Sequence, residues 1–324
     1  MQKIGVLTSG GDGPGLNPCI RAVVRKAVHY NMEVIGIKRG YGGLIDHEVI
    51  ALDSRSVGAG MIAQGGTRLG TSRCLGLKTK KGLREALRTL NEEGVDGLVV
   101  IGGDGSMRGA KALYDAGVKV VGIPASIDND VCGTDISVGV DTALNTAMDA
   151  IDRIKDTASS HNRAFLVETM GRSCGYLAMV AGIIGGAEMV CLPEAPFELE
   201  DVVRELVDAY VRGKSHCIIV VAEGAKYNAK TIAQHLESRG EETGFEVRMT
   251  ILGYIQRGGS PLAFDRLLAT RLGAAAVDTL HEGKAGVMLG LRGAKIESTP
   301  LSEVVEGSKK LDLGLYELGE ILSV

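Results

Sequence analysis

The chain contains no tryptophan and four phenylalanines, and aromatic residues make up 4% of its 324 positions. Its core therefore has to be built from Val, Ile, Leu, Ala and Met. With only seven prolines against a 45% hydrophobic content, collagen-like and disordered classes are excluded. A basic excess is also missing: 36 basic and 40 acidic side chains leave a formal net charge of −4. That argues against a general nucleic-acid binder while leaving room for a local basic pocket. The cysteines (Cys19, Cys74, Cys132, Cys174, Cys191, Cys217) are scattered without a Cys-x-x-Cys pair, so neither a zinc knuckle nor a small disulfide framework is indicated. The histidines show no His-x-His or His-x-x-x-His spacing, which gives no zinc case. No run approaches the ~18 apolar residues of a membrane span, and the N-terminal apolar run is too short for a signal peptide. The expectation is a cytoplasmic protein with neither nucleic acid nor membrane among its partners.

What the chain has in surplus is glycine, 46 residues, about twice the usual share. In an aliphatic sequence this suggests tight strand-to-helix turns and phosphate-binding loops. The length predicts about two domains. Short aliphatic runs read as strands at Ile4–Leu7, Val34–Ile37, Leu98–Ile101, Val118–Ile123, Ala164–Val167, Glu188–Cys191, Cys217–Val221 and Val287–Leu289. Helical periods fill Asn17–Tyr30, Lys80–Asn91, Val140–Thr157, Leu199–Val211 and Phe264–Leu280, with a further helix after Gly102–Ser106, while Met and Leu positions over 177–184 read as core. Runs bounded on both sides by helices are buried on both faces, the logic of parallel α/β sheets. A break near Gly139 is plausible because a long helix begins there.

Several segments carry possible chemistry. Gly10–Gly15 follows a strand and precedes a helix, so its backbone N–H groups could face an anion; it could equally be a tight βα turn, and without an adjacent lysine it is not a GxxxxGK[ST] loop. Gly102-Gly103-Asp104-Gly105-Ser106 repeats the design, with Asp104 either a magnesium ligand or a helix cap. Ser126-Ile127-Asp128-Asn129-Asp130 follows the strand ending at Ile123. In an extended segment Asp128 and Asp130 would project the same way and could share a metal or divide roles, although Asp- and Asn-rich turns are common. Arginines recur in glycine-bearing loops, at Arg68, Arg73, Arg163, Arg172, Arg248 and Arg257; guanidinium forks suit phosphate oxygens, and surface salt bridges are the competing use.

Taken in order, Gly10-Gly11-Asp12-Gly13-Pro14-Gly15-Leu16-Asn17, Gly102–Ser106, Ser126–Asp130, Met170-Gly171-Arg172 and Gln256-Arg257-Gly258-Gly259-Ser260-Pro261 resemble the bacterial ATP-dependent phosphofructokinase family from Ile4 to about Ala275. The resemblance implies two similar three-layer α/β domains with mostly parallel sheets and the active site in the cleft between them. The larger, ATP-binding domain would comprise 1–138 plus about 251–301, the smaller, sugar-phosphate-binding one 139–250 plus about 302–324. It also implies transfer of a phosphoryl group from ATP to the 1-hydroxyl of fructose 6-phosphate, assisted by Mg2+. Asp128 would be the base, with Arg172 and Gly11 also catalytic. Gly11, Arg73, Cys74, Gly103, Asp104, Gly105 and Ser106 would bind the nucleotide, and Asp104 the metal. Ser126, Asp128, Asp130, Arg163, Met170, Gly171, Arg172, Glu223, Arg248, Tyr254 and Arg257 would bind substrate, Arg163 and Arg248 reaching across from a neighbour in a homotetramer with shared active sites.

The chain departs from the family pattern in places. Ala125-Ser126 stands where Gly-Thr is common, which keeps the hydroxyl. Tyr254 replaces the usual histidine, a change also found in pyrophosphate-using relatives. Those relatives typically carry aspartate at the position of Gly105 and lysine at that of Ala125, so both of these positions favour ATP. Arg21, Arg25, Glu188, Arg212 and Lys214 match a site for an ADP or phosphoenolpyruvate effector; Arg55 lies near an expected arginine, and Lys155 replaces another.

Overall fold

The structure, a computed structural model, describes residues 1–323; Val324, which falls in the expected second domain, lies outside them. In chain order the elements are β1 (Lys3–Ser9), α1 (Leu16–His29), β2 (Glu33–Ile37), α2 (Tyr41–Ile45), β3 (Val49–Leu52), α3 (Lys80–Glu92), β4 (Gly97–Gly102), α4 (Asp104–Asp115) and β5 (Val120–Pro124). They continue with α5 (Val140–His161), β6 (Arg163–Thr169), α6 (Tyr176–Ile184), β7 (Met189–Cys191), α7 (Leu199–Val211), β8 (Cys217–Ala222), α8 (Ala229–Arg239) and β9 (Glu246–Ile251). The last are α9 (Ala263–His281), β10 (Val287–Arg292), β11 (Lys295–Pro300), α10 (Leu301–Glu306) and α11 (Leu313–Leu322).

The chain divides into two units, the first made of Met1–Thr142 and Arg257–Lys309. Its seven-stranded sheet runs β11-β10-β5-β4-β1-β2-β3. The interior pairs are parallel, and the edge strands β3 and β11 pair antiparallel. Alternation along the buried runs explains why helices cover both faces. Val6, Val99, Ile101 and Val121 pack on one side with Ile20, Val23 and Leu272 of α1 and α9. Leu7, Leu98, Val100 and Val120 pack on the other with Ala86, Met107 and Leu113 of α3 and α4. Each fully buried Val or Leu contributes roughly 1.5–3 kcal/mol. Asp265 of α9, wholly buried, accepts from the backbone N–H groups of Gly139 and Thr142 (both 2.8 Å) and from the Thr142 hydroxyl (2.6 Å), which fixes the start of α5. Burial raises its carboxyl above the ordinary range.

The second unit takes Ala143–Gln256 and the residues from Lys310 onward. Its four strands run β7-β8-β6-β9, all parallel. Leu166, Ile219 and Val221 pack against Val202 and Leu206 of α7 and Ile232 and Leu236 of α8, and α6 packs against β6, β7 and β8. The division differs from the expected boundaries near 138, 251 and 301. It falls three residues into α5, after Gln256, and after Lys309, because Leu301 and Val304 of α10 join the core of the first unit beneath α4.

Candidate functional site

The first glycine loop joins β1 to α1, and Gly10 and Gly15 take left-handed backbone angles (φ 92° and 101°) that side chains disfavour. The loop is tied down from outside: the Ser106 hydroxyl donates to the Ser9 carbonyl and the Thr71 hydroxyl to the Gly10 carbonyl, both at 2.9 Å. Arg257 reaches back onto it. Its Nε donates to the Asp12 carbonyl at 3.1 Å and its Nη2 pairs with the Asp12 carboxylate at 2.9 Å. A Cβ at Gly11 would collide with that guanidinium. Arg257, expected at the sugar phosphate, thus belongs to the first unit and lies against the 10–15 glycine loop.

The second loop ends β4 and opens α4. Gly103 is the N-cap residue and Asp104 stands in the first turn, so Asp104 is not the helix cap. Its carboxylate is held by Arg108 one turn on, at 3.0 and 3.3 Å. The buried Tyr41 donates its phenol to the Ser106 carbonyl at 2.6 Å, and burial pushes that phenol well above its ordinary pKa, so it stays a donor. A Cβ at Gly105 would meet no atom within 4 Å outside the helix backbone. Cys74 is partly buried against the same core, and Arg73 beside it is exposed.

Beyond β5, the 126–130 segment is not extended. Asn129 has φ 53°, which breaks the alternation that would have pointed Asp128 and Asp130 the same way. Ser126 organises the loop instead: its hydroxyl donates to the Asp130 carboxylate and accepts from the Asp128 N–H, each at 3.3 Å. Asp128 and Asn129 are 5% and 1% exposed, so the carboxylate sits in a largely desolvated place.

In the second unit the turn after β6 is built around two side chains. Glu223 Oε1 accepts from the N–H groups of Gly171 (3.2 Å) and Arg172 (2.6 Å). Gln256 Oε1 accepts from Met170 N–H at 2.9 Å. Gly171 and Arg172 both have positive φ (148° and 51°), and a Cβ at Gly224 would collide with the Arg172 carbonyl. Two buried polar atoms here have no hydrogen-bond partner, Thr169 Oγ1 and Gln256 Nε2. Such atoms are costly unless water or a ligand completes them. The sequence motifs contain Gln256, but its anchoring role depends on a contact across 86 residues that spacing does not reveal.

A family model described as phosphofructokinase matches residues 3–280. The chain belongs to the phosphofructokinase family. It is 51% identical to a protein named ATP-dependent 6-phosphofructokinase from Thermotoga neapolitana and 48% identical to one of the same name from Bacillus subtilis, in each case over the whole of both chains. Among solved structures it resembles phosphofructokinase from Saccharomyces cerevisiae, with TM-score 0.86 and 36% identity over 94% of this chain and 45% of that one. A pyrophosphate-dependent phosphofructokinase from Marinobacter aquaeolei shares the fold, with TM-score 0.85 and 23% identity over 97% and 86% of the two chains.

The remaining residues that the phosphofructokinase pattern singles out are dispersed. Arg163 and Arg248, on adjacent strands, both pair with Glu246, Arg163 at 2.7 Å. The Arg163 hydrogen bond holds the Glu246 carboxyl below its usual range. Tyr254 is 79% exposed. Of the effector residues, Glu188 and Arg212 line a cavity of about 340 Å³ in the second unit, and Lys214 bonds Glu188 at 3.3 Å. Arg212 is paired with Glu205, and the carboxylates of Asp201, Asp208 and Glu320 also border the space, so it is not simply a basic phosphate pocket. Lys155 reaches Gly186. Arg21, Arg25 and Arg55 belong to the first unit, where Arg55 lies in a turn whose N–H is held by Asp53.

Proposed function

We propose that this phosphofructokinase transfers the terminal phosphoryl group of ATP to the 1-hydroxyl of D-fructose 6-phosphate, giving fructose 1,6-bisphosphate. Identity near 50% over full length to proteins named ATP-dependent 6-phosphofructokinase supports the substrates. The observation that carries the chemistry is the burial of Asp128 just past the carboxyl end of β5, in a loop whose backbone is held by the Ser126 hydroxyl and turned at Asn129. A carboxylate held in a dry site suits the acceptance of a proton from an attacking hydroxyl.

The residues then divide the work. Asp128 takes the proton of the 1-hydroxyl, and Ser126 and Asp130 orient the sugar. Backbone N–H groups of Gly11 and of the α4 N-terminus, with Arg73, hold the donor phosphates; Cys74, Gly103, Gly105 and Ser106 border the nucleotide. Arg172 offsets charge on the transferring group, and Met170, Gly171, Glu223, Arg163, Arg248, Tyr254 and Arg257 bind fructose 6-phosphate. Magnesium characteristically uses one or two carboxylates and completes its shell with water and substrate phosphates. The half-buried Asp104 fits that use, with Asp130 assisting; no group of three or more metal-ligating side chains occurs among the described residues, and none is required. When bound, the ion neutralises phosphate charge.

Gly105 supports ATP as donor, since the space beside it is open. Met249 and Ile251 on the edge strand β9, with Tyr254 and Ile255 in the turn beyond it, expose large apolar side chains, which supports self-association; the proposed assembly is a homotetramer in which Arg163 and Arg248 serve a neighbour. No helix among the described residues is long and apolar enough to cross a membrane, and a cytoplasmic location follows from the proposed glycolytic role. ADP or phosphoenolpyruvate is the proposed effector; a phosphoenolpyruvate titration that leaves sugar-phosphate affinity unmoved removes that part. The central test is a coupled assay with fructose 6-phosphate and either ATP or pyrophosphate. Turnover with ATP is expected, and turnover confined to pyrophosphate would overturn the donor.

A further inference from the structure

Asn129 separates the two aspartates of the 126–130 loop, and both polar atoms of its side chain are bonded. Its Oδ1 accepts from the Ser137 N–H at 3.1 Å and from the Lys309 ammonium at 2.9 Å. Its Nδ2 donates to the Asp135 carbonyl at 3.2 Å, and that carbonyl also accepts from Lys309 at 2.7 Å. Lys309 therefore closes a ring with Asn129 and Asp135 from 180 residues away, at the last position of the first unit. It is half-buried, while its neighbour Lys310 is exposed.

We propose that Lys309 is a positioning residue for phosphoryl transfer: its ammonium locks Asn129 in the left-handed conformation from which Asp128 and Asp130 take their directions. A left-handed non-glycine residue persists only where its surroundings over-determine it. Charge-assisted hydrogen bonds are roughly twice as strong as neutral ones, and Lys309 makes two, one to each side of the Asn129–Asp135 contact. Ordering a lysine costs more side-chain entropy than ordering most residues, so two such bonds at a half-buried site mark a specific fit. Without the ammonium, Asn129 keeps Ser137 and Asp135 keeps Asn129, so the loop still forms but with wider play. The consequence falls on the geometry of the reacting groups and not on folding or ground-state binding. The inference rests on Asp128 being the base.

The test is steady-state kinetics of the full-length protein with fructose 6-phosphate and ATP. Lys309→Met is expected to lower kcat about 10-fold, with KM for both substrates within about twofold of wild type. The thermal midpoint is expected to move by only a few degrees. Lys309→Arg, which keeps the charge, should recover part of kcat, and Lys310→Met should leave it unchanged. A Lys309→Met enzyme with unchanged kcat, or one whose loss lies in KM, overturns the proposal. Should that variant not fold, Lys309→Gln, which keeps donors without the charge, is read by the same criteria. Asp128→Asn is measured alongside. If it retains turnover, the reading of Asp128 fails; if it collapses while Lys309→Met does not, only the role of Lys309 fails.

Discussion

The loop after β5 and the turn after β6 are both strand-end segments with a left-handed non-glycine residue, Asn129 in one and Arg172 in the other. They are finished differently. Around Asn129 both polar atoms of the anchor side chain are engaged, by Ser137, Asp135 and Lys309. Around Arg172 the backbone is held by Glu223 and Gln256, yet Thr169 Oγ1 and Gln256 Nε2 are buried without partners. A loop anchored in this way can hold a reacting group in place before substrate arrives. A turn with unspent hydrogen bonds gains from a molecule that completes it. The contrast is between a loop held in advance and a turn left to be completed, and substitutions can break it.

The largest effect is expected at Asp128→Asn, where loss of the base should lower kcat by roughly 10³-fold with little change in KM. Asn129→Ala frees Lys309 and the Ser137 N–H from their anchor; kcat should fall about 100-fold and thermal unfolding should report a loss of about 2 kcal/mol. Equal damage from Glu223→Ala would erase the distinction, because that variant is expected to raise the KM for fructose 6-phosphate about 10-fold while sparing kcat. Glu246→Gln should lower that KM about threefold by releasing Arg163 and Arg248 for phosphate. The pH sense is fixed by the lowered Glu246 carboxyl: the ion pairs persist above its ordinary range and are lost as pH falls through the depressed value. The smallest effect belongs to Thr169→Val. Removing an unpaired hydroxyl should leave stability equal or up by about 1 kcal/mol. A KM rise of about threefold would show that the hydroxyl finds its partner in the complex.

The central strands were legible because both their faces are buried: Leu98–Ile101 alternates between two cores, and the run is apolar throughout. The edge strands β3, β9 and β11 were not. In β9 and β11 most side chains face solvent, so no hydrophobic run marks either; β9 does alternate polar and apolar residues over Glu246–Ile251, but Met249 and Ile251 stay exposed. The short α2 and α10 and the helices α8 and α11 escaped as well. Within the candidate site, the glycine and aspartate motifs marked out the loops, since their spacing is local. Their geometry was not announced. Extended alternation was the natural expectation for Asp128 and Asp130, and one positive φ at Asn129 undid it. Arg257 and Lys309 were equally out of reach of local pattern, because their partners at Asp12 and Asn129 lie far along the chain.

Gly105 gives α4 a first turn with an uncovered backbone and no packing reason for it. Alanine there would strengthen the helix by about 0.5–1 kcal/mol, and its methyl group would meet no neighbour. If position 105 bears on the donor as proposed, that choice is decoupled from the packing of α4. A substitution at position 105 would therefore be judged by its effect on turnover and not by the packing of the first turn.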